Sequence, residues 1–392
     1  MSRTSSWDVY GFSQRLTSAE KTALYELRAT LDEKVYPYLN DAWHEDRLPE
    51  EIVEPLQALR LMDPPAVKAA GESVRGVFES MRTFELARCD TNVATFFNAQ
   101  AGLFRTVVTQ GGSKEQVAKL DPKIINYELL GVFALTEPDN GSDVAKGLQT
   151  TATQNPDGTW IINGAKRWIG GAFQADVICT FARDTADNEV KAFLVPRDAK
   201  GVTLDKIERK ASLRIMQNAN IYYSEVQVDD TARLQNINSF RDVAKCLRLM
   251  RSDVSWIATG AMAGAYEAAV RYTTGREQFG RPIAGFQLIQ EKLARMLANV
   301  TASVAMAMQL TEQQDTGIYK DENSALAKMF TASKLRETVA LAREVCGGNG
   351  ITLDTDVARF HADAEAVYSY EGTHEINALI VGRSITGQSA FV

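Results

Sequence analysis

The sequence predicts a mostly helical protein interrupted by a central β domain, and three observations carry that prediction. Leu24, Leu27, Leu31 and Val35 recur at spacings of three and four, as do Phe286, Ile289, Leu293, Leu297, Val300, Val304 and Met308, which lines one face of a helix. Between these regions turn signals recur too closely for βαβ units, so the middle reads as an antiparallel sheet, a barrel or a sandwich. At 392 residues the chain is also too long for one ordinary core. The expected order is an N-terminal helical domain over 1–130, a β domain over 131–238 and a C-terminal four-helix-like bundle over 239–392.

The elements follow from local signals. Thr17 and Glu20 form a capping-box pattern at the start of the first helix, which Pro37 should weaken. A second helical stretch runs over 73–88, before Cys89-Asp90-Thr91-Asn92. In the middle zone, strands over 150–154 and 159–162 flank Asn155-Pro156-Asp157-Gly158, a hairpin signal. Strands are also expected over 177–182 and 190–195, joined by a polar turn around 184–188, and over 221–228. In the last zone the stripe from 286 to 308 is core or a helix–helix seam. A long helix over 324–345 should end at Gly347-Gly348-Asn349-Gly350.

Composition narrows the function classes. A net charge of -7 and the lack of a Lys/Arg tail argue against nucleic acid as the main partner. Cys89, Cys179, Cys246 and Cys346 lie far apart without metal-ligand spacing, and only His44, His361 and His374 could join them, so no metal is expected. Reduced, buried thiols fit a cytosolic protein. The start of the chain does not read as a signal peptide, no apolar run is long enough to span a bilayer, and Ala390-Phe391-Val392 is not a peroxisomal address. A cytoplasmic protein without a membrane partner is the expectation.

Four segments offer chemistry, each with a plain alternative. In Tyr370-Glu371-Gly372-Thr373, Val367 and Tyr370 would desolvate Glu371 and raise its pKa, suiting it to remove a weakly acidic carbon proton. The alternative is a helix-terminal Glu followed by a turn Gly. The stretch from Phe133, Ala134 and Leu135 through Thr136-Glu137-Pro138-Asp139-Asn140-Gly141-Ser142-Asp143 is an interdomain loop, or a loop whose amides and hydroxyls hold a flavin and its pyrophosphate. Lys166-Arg167-Trp168-Ile169-Gly170-Gly171 places an aromatic ring in the core or against a cofactor ring. Arg276-Glu277-Gln278-Phe279-Gly280-Arg281-Pro282 is a charged connection, or presents a guanidinium to phosphate. Gly347-Gly348-Asn349-Gly350 has the wrong spacing and context for a Rossmann fingerprint.

Taken in order and spacing, the 136–143 loop, Trp168-Ile169, Arg276 with Gln278-Phe279-Gly280, Gly347-Gly348-Asn349-Gly350 and Tyr370-Glu371-Gly372-Thr373 resemble the motifs of the acyl-CoA dehydrogenase family over nearly the whole chain. The resemblance implies the family fold of a helical domain, a β domain and a four-helix bundle, assembled as a homotetramer around FAD. It implies that Phe133, Leu135, Thr136, Ser142, Trp168, Ile169 and Gly170 surround the flavin. Arg276, Phe279 and Gln287 would meet the FAD tail across a subunit boundary, and Glu344, Val345, Cys346, Gly347, Gly348, Thr373 and Phe391 would complete the site. Ala94, Thr95, Ser142, Arg251, Tyr370 and Gly372 fall on the substrate side. The implied reaction is a 2,3-elimination in which Glu371 takes the α proton of an acyl-CoA thioester and the β hydrogen leaves as hydride to the flavin. An electron-transfer flavoprotein is the implied acceptor.

Within the family, the stretch 365–387 is similar to glutaryl-CoA dehydrogenase and to the plant short-chain acyl-CoA oxidase, and the 135–143 and 166–170 segments lean towards the oxidase. Two departures bear on specificity. Anchoring on Arg88-Cys89-Asp90 puts Ala94 where the glutaryl enzyme carries the Arg for its distal carboxylate, and such a carboxylate would lack a partner. Gly170 stands where many dehydrogenases carry a Thr beside the flavin, which leaves oxidase activity open. The expectation is an FAD-dependent dehydrogenase of a short or branched acyl-CoA, with glutaryl-CoA dehydrogenation, a short-chain oxidase and a flavin-free acyl-CoA-binding scaffold as alternatives.

Overall fold

The structure, a computed structural model, describes residues 7–390. In chain order the helices are α1 (Ser18–Thr30), α2 (Leu39–Glu45), α3 (Glu50–Ala58), α4 (Pro65–Ala69), α5 (Gly76–Cys89), α6 (Thr91–Asn98), α7 (Arg105–Gly111), α8 (Lys114–Ile125), α9 (Val144–Gly147), α10 (Phe240–Gly275), α11 (Gln287–Asp315), α12 (Asp321–Val345), α13 (Val357–Ser369) and α14 (His374–Thr386). The strands are β1 (Gly131–Ala134), β2 (Thr151–Gln154), β3 (Trp160–Gly170), β4 (Val177–Asp184), β5 (Val190–Pro196), β6 (Val202–Lys206), β7 (Asn218–Val228), and a two-strand ribbon, β8 (Glu277–Gln278) and β9 (Arg281–Pro282).

The first helix starts as its sequence directs. The Thr17 side chain accepts from the Glu20 amide at 3.1 Å, and the Thr17 amide donates to Glu20 Oε2 at 2.9 Å. Pro37 does not end the helical path. A π turn over Leu31–Val35 and a 3-10 turn over Tyr36–Tyr38 carry the chain past the missing N–H into α2. Leu27, Leu31, Val35 and Leu39 stay fully buried across this change, so burial of the stripe outweighs the irregular ladder.

Seven strands form one mixed sheet in the order β1-β4-β2-β3-β7-β6, with β5 also on β4. The purely antiparallel expectation is corrected here: β1 and β2 both run parallel to β4. Two strands escaped the sequence reading. β1 is only four residues long, and β6 is a five-residue edge strand whose Val202-Thr203-Leu204-Asp205 alternation is too short to stand out. The hairpin at 155–158 forms, closed by Asn155 N donating to Thr159 O at 2.7 Å, with Gly158 at φ 88°.

Contacts divide the chain differently from composition. One unit holds the residues up to Thr95, Ala211–Ile215 and Arg251 onward; the other holds Phe96–Lys210 and Met216–Met250. Residues 96–130 thus join the sheet. Gln100 explains part of this: its Nε2 donates to Leu129 O at 2.9 Å and its Oε1 accepts from Gly131 N at 2.8 Å. The Phe104 ring lies so close over Gly131 that a Cβ there would sit 2.2 Å away. The sheet core gathers Trp160, Ile162, Ile178, Phe193, Val195 and Ile221.

In the helical unit α5 and α10 approach closely at two glycines. A Cβ on Gly260 would come within 2.3 Å of Phe84 O, and one on Gly264 within 2.3 Å of Arg88 O. Trp7 and Phe84 pack with centroids 4.3 Å apart, and Trp256 meets Phe84 edge-on. A buried polar network ties the base of α13: Arg359 pairs with Asp90 at 3.2 Å and Asp356 at 3.2 Å. Asn92 Nδ2 donates to both Asp90 and Asp363, and Asp363 also accepts from the Leu213 amide at 2.6 Å. The four cysteines are free and buried. Among the described residues no helix is long and apolar enough to cross a membrane.

Candidate active site

The helical unit presents Glu371 in a four-residue turn, Tyr370 to Thr373, between α13 and α14. Glu371 adopts φ 50° and Gly372 φ 95°. A left-handed glutamate costs roughly 1–2 kcal/mol, so neighbouring groups must hold it. They do so from two sides. Lys328 Nζ on α12 donates to Tyr368 O at 2.9 Å and Gly372 O at 2.6 Å. Asn377 Nδ2 on α14 donates to Gly372 O and Thr373 O, both at 2.9 Å. Thr373 caps α14 by accepting from the Ile376 amide at 3.2 Å.

Glu371 itself is half-buried, as is Tyr370 before it. Val367 is fully buried, and burial, then the charge of Glu371, push the Tyr370 hydroxyl up. Two charged residues that the sequence reading did not single out share this region. Asp253 on α10 is pushed up to about 8, chiefly by burial and then by the Glu371 carboxylate, so it is mostly neutral at pH 7. Lys328 is brought down to about 8 by burial, against the pull of Glu371 and Glu375. Neither carried a motif, and a Lys inside an Ala-rich helix reads as solvated until the fold buries it.

The other expected residues of this unit divide. Ala94 is fully buried on α6 and Thr95 half-buried beside it, with Thr95 Oγ1 donating to Thr91 O at 2.8 Å. Arg251 pairs with Asp321 at 3.5 Å. Arg276, Phe279, Gln287, Glu344, Gly347 and Gly348 are exposed, while Val345 and Cys346 are buried. Phe279 stands at the tip of the β8–β9 ribbon, 93% exposed, with φ 53° followed by Gly280 at φ 75°. Gly347, at φ 57°, follows the last turn of α12 and leaves open space around its Cα. Phe391 lies outside the described residues.

In the sheet unit, the 136–143 loop follows β1. Glu137 pins it: the carboxylate accepts from Lys166 Nζ at 2.8 Å, Gln149 N at 2.5 Å and Thr150 N at 2.9 Å. Burial works against the charged carboxylate, but Lys166, Thr150 and Gln149 hold Glu137 below its usual range. Lys166, fully buried, is brought down to about 8 by that burial. The acid of the motif is therefore a structural pin, a role its sequence position did not reveal. Thr136 is half-buried and Ser142 exposed, while Leu135 is buried and Phe133 packs on Phe181 at 4.7 Å.

Trp168 is not core. It is 51% exposed at φ 67° in an irregular stretch of the β3–β7 ladder, with the Arg167 guanidinium 4.8 Å over its ring. Ile169 beside it is buried. Gly170 makes room for Met216: a Cβ there would lie 2.4 Å from Met216 Cε. The sulfur side chain thus occupies the space a Thr would need.

Three family models match the chain in succession: acyl-CoA dehydrogenase N-terminal domain over 17–128, middle domain over 132–226 and C-terminal domain over 240–386. A short-chain specific acyl-CoA dehydrogenase of Megasphaera elsdenii is 30% identical over 305 residues, 77% of this chain and 79% of its own. A glutaryl-CoA dehydrogenase structure from Mycobacterium smegmatis superposes with TM-score 0.90 at 33% identity, covering 98% of this chain and 99% of the other. A glutaryl-CoA dehydrogenase structure from the same organism in complex with FADH2 gives TM-score 0.90 at 30% identity, with coverage of 98% and 99%.

Proposed function

This chain belongs to the acyl-CoA dehydrogenase family of oxidoreductases, and on that premise we propose that it removes the α and β hydrogens of a short or branched acyl-CoA to give the 2-enoyl-CoA, with Glu371 as base and FAD as cofactor. The observation that carries this reading is Glu371 itself, held at positive φ in a turn clamped by Lys328 and Asn377. A carboxylate fixed there takes the α proton, and the mostly neutral Asp253 adds little like charge against it. FAD, when bound, accepts the hydride from the β carbon.

The residues present suit that cofactor. Trp168 offers an exposed aromatic face, Thr136 and Ser142 offer hydroxyls on a loop pinned by Glu137, and Ile169 and Gly170 follow Trp168. Arg276 offers an exposed guanidinium for phosphate, with Phe279, Gln287, Glu344, Gly347 and Gly348 likewise accessible, and Thr373 is part of the turn. The M. smegmatis relative holds FADH2, which supports the same reading. Tyr370, Gly372, Thr95, Ser142 and Arg251 are assigned to the acyl-CoA side. The four buried thiols fit a reducing compartment such as the cytoplasm. An electron-transfer flavoprotein is the proposed acceptor, and a homotetramer the proposed assembly.

Ala94 argues against a distal carboxylate. It is fully buried and carries no charge, so a glutaryl group would bury an anion without a partner at that position. The likeness to glutaryl-CoA dehydrogenase favours the glutaryl reading as the second choice. Gly170 with Met216 over it keeps the oxygen-using reading in view.

One panel decides among these readings. Butyryl-, isobutyryl- and glutaryl-CoA are each tested with a dye acceptor and with oxygen. Dye reduction with the first two, little with glutaryl-CoA and no peroxide is the expected pattern. Peroxide in air establishes the oxidase, and preferred turnover of glutaryl-CoA with release of carbon dioxide establishes the glutaryl enzyme. A colourless protein that binds acyl-CoA without bleaching any flavin leaves the scaffold. Glu371→Gln should abolish turnover, a loss of at least about 100-fold, and keep the flavin.

A further inference from the structure

Lys328 is an unusual place for a charge. It is fully buried on α12, and its ammonium donates to two main-chain carbonyls, Tyr368 O at 2.9 Å and Gly372 O at 2.6 Å. Burying an ammonium is costly unless something compensates, and the nearby positions of α12, Ala325, Ala327, Thr331 and Ala332, are buried without charge. The two carbonyls it takes bracket Glu371. Tyr368 O belongs to the last turn of α13, whose carbonyls have no partner within the helix. Gly372 O lies directly beyond the glutamate.

We propose that Lys328 is a positioning residue for the reaction: its ammonium ties the end of α13 to the far side of the Glu371 turn, aims the carboxylate and sets the charge that the carboxylate meets. The inference rests on the reading of Glu371 as base. Geometry supplies the aim, because losing the ammonium releases Tyr368 O and leaves Gly372 O to Asn377 alone, in a turn whose glutamate stands at φ 50°. Electrostatics supplies the second effect. The charges acting on the ammonium are Glu371 in the turn, Glu375 on α14 and Arg251 on α10. Asp253 on α10 in turn faces Glu371, with Glu79 and Arg82 of α5 beyond it. Lys328 is thus a cation on the Glu371 side of this group, and it stabilises the charged base.

The sign follows. Removing a positive charge near a carboxylate raises its pKa, so the acid limb of proton abstraction moves to higher pH in a neutral variant. The test isolates proton abstraction from hydride transfer with 3-thiabutanoyl-CoA, whose sulfur replaces the β carbon and leaves no β hydrogen. Washout of its α deuterium is followed by NMR against pH, with flavin content and thermal melting recorded for each variant. Lys328→Met should slow washout by about 100-fold, the scale of a misplaced reacting group, while ligand binding changes less than about threefold and the acid limb rises. Lys328→Gln, which can still donate to the carbonyls, should keep more of the rate and show the same limb shift.

A folded, flavin-containing Lys328→Gln with the wild-type rate and limb overturns the proposal. Should neither variant fold, Lys328→Arg, which keeps both the charge and the donors, is compared with the unaltered chain: it should keep the acid limb in place and more of the rate than Asn377→Ala, and a Lys328→Arg with a shifted limb overturns the proposal equally. Glu371→Gln runs alongside. Washout surviving in Glu371→Gln refutes the base assignment itself, whereas washout lost there and untouched at Lys328 refutes only the positioning role.

Discussion

Two buried charged side chains show how single residues hold this architecture. Lys166 and Glu137 pair at 2.8 Å with almost no solvent contact, and the carboxylate also takes two backbone amides of the segment before β2. Removing one partner strands the other charge. Lys166→Met should destabilise the protein by about 3–5 kcal/mol, measured by urea unfolding, and the Lys166→Met/Glu137→Gln pair should lose clearly less than the sum of the single changes. Additive losses would show that the two groups act separately. Asp253 gives a pH signature. Its pKa rises from 3.8 in the ordinary case to about 8 in the fold, so between those values the folded chain holds a proton that the unfolded chain has lost. Stability from this group is full below about pH 4 and declines as pH rises to 8. Asp253→Asn should flatten the fall of melting temperature between pH 5 and 9; parallel profiles would remove Asp253 from the account.

Helices set the distances that these residues need. α5 and α10 meet backbone against side chain because Gly260 and Gly264 present no Cβ, four residues apart on one face. In both cases the atom a methyl would strike first is a carbonyl oxygen of α5, which cannot swing away. Gly260→Ala is therefore expected to cost about 1–3 kcal/mol despite its better helix propensity, read from chemical denaturation, and a stabilised variant would mean that the two helices can separate freely. α11 behaves differently along its length. Val300, Val304 and Met308 are buried, while Ile289, Leu293 and Leu297 on the same stripe remain half-exposed. One face thus serves as core at one end and is left partly open at the other.

For the molecule as a whole, Phe279, Leu288, Ile351 and Ile385 are 93%, 75%, 73% and 78% exposed. In the proposed homotetramer a second copy of the chain would cover such side chains. Light scattering should give about four times the 43.2 kDa chain mass. Leu288→Glu should lower that mass and release flavin, since Gln287 beside it in the chain is a proposed cofactor contact across the subunit boundary. A wild-type protein that runs as a monomer at micromolar concentration and still holds flavin would reject the assembly.

Periodicity and turn chemistry depend on neighbours in the chain, and what depends on them was legible in the sequence: the α1 capping box, the hairpin at 155–158, the two long helices that follow Phe286, and the motif order that pointed to Glu371. Burial and charge coupling depend on residues far apart in the chain, and only the tertiary structure decided these. It brought Lys328 and Asp253 beside the turn of Glu371, made Glu137 a buried pin, turned Trp168 outward, placed β1 and β2 parallel to β4 and joined residues 96–130 to the sheet. A lysine in an alanine-rich helix or an aspartate two residues after an arginine has the same local pattern whether it faces water or the core. Its free energy differs only once packing removes the water, and that is settled by the fold.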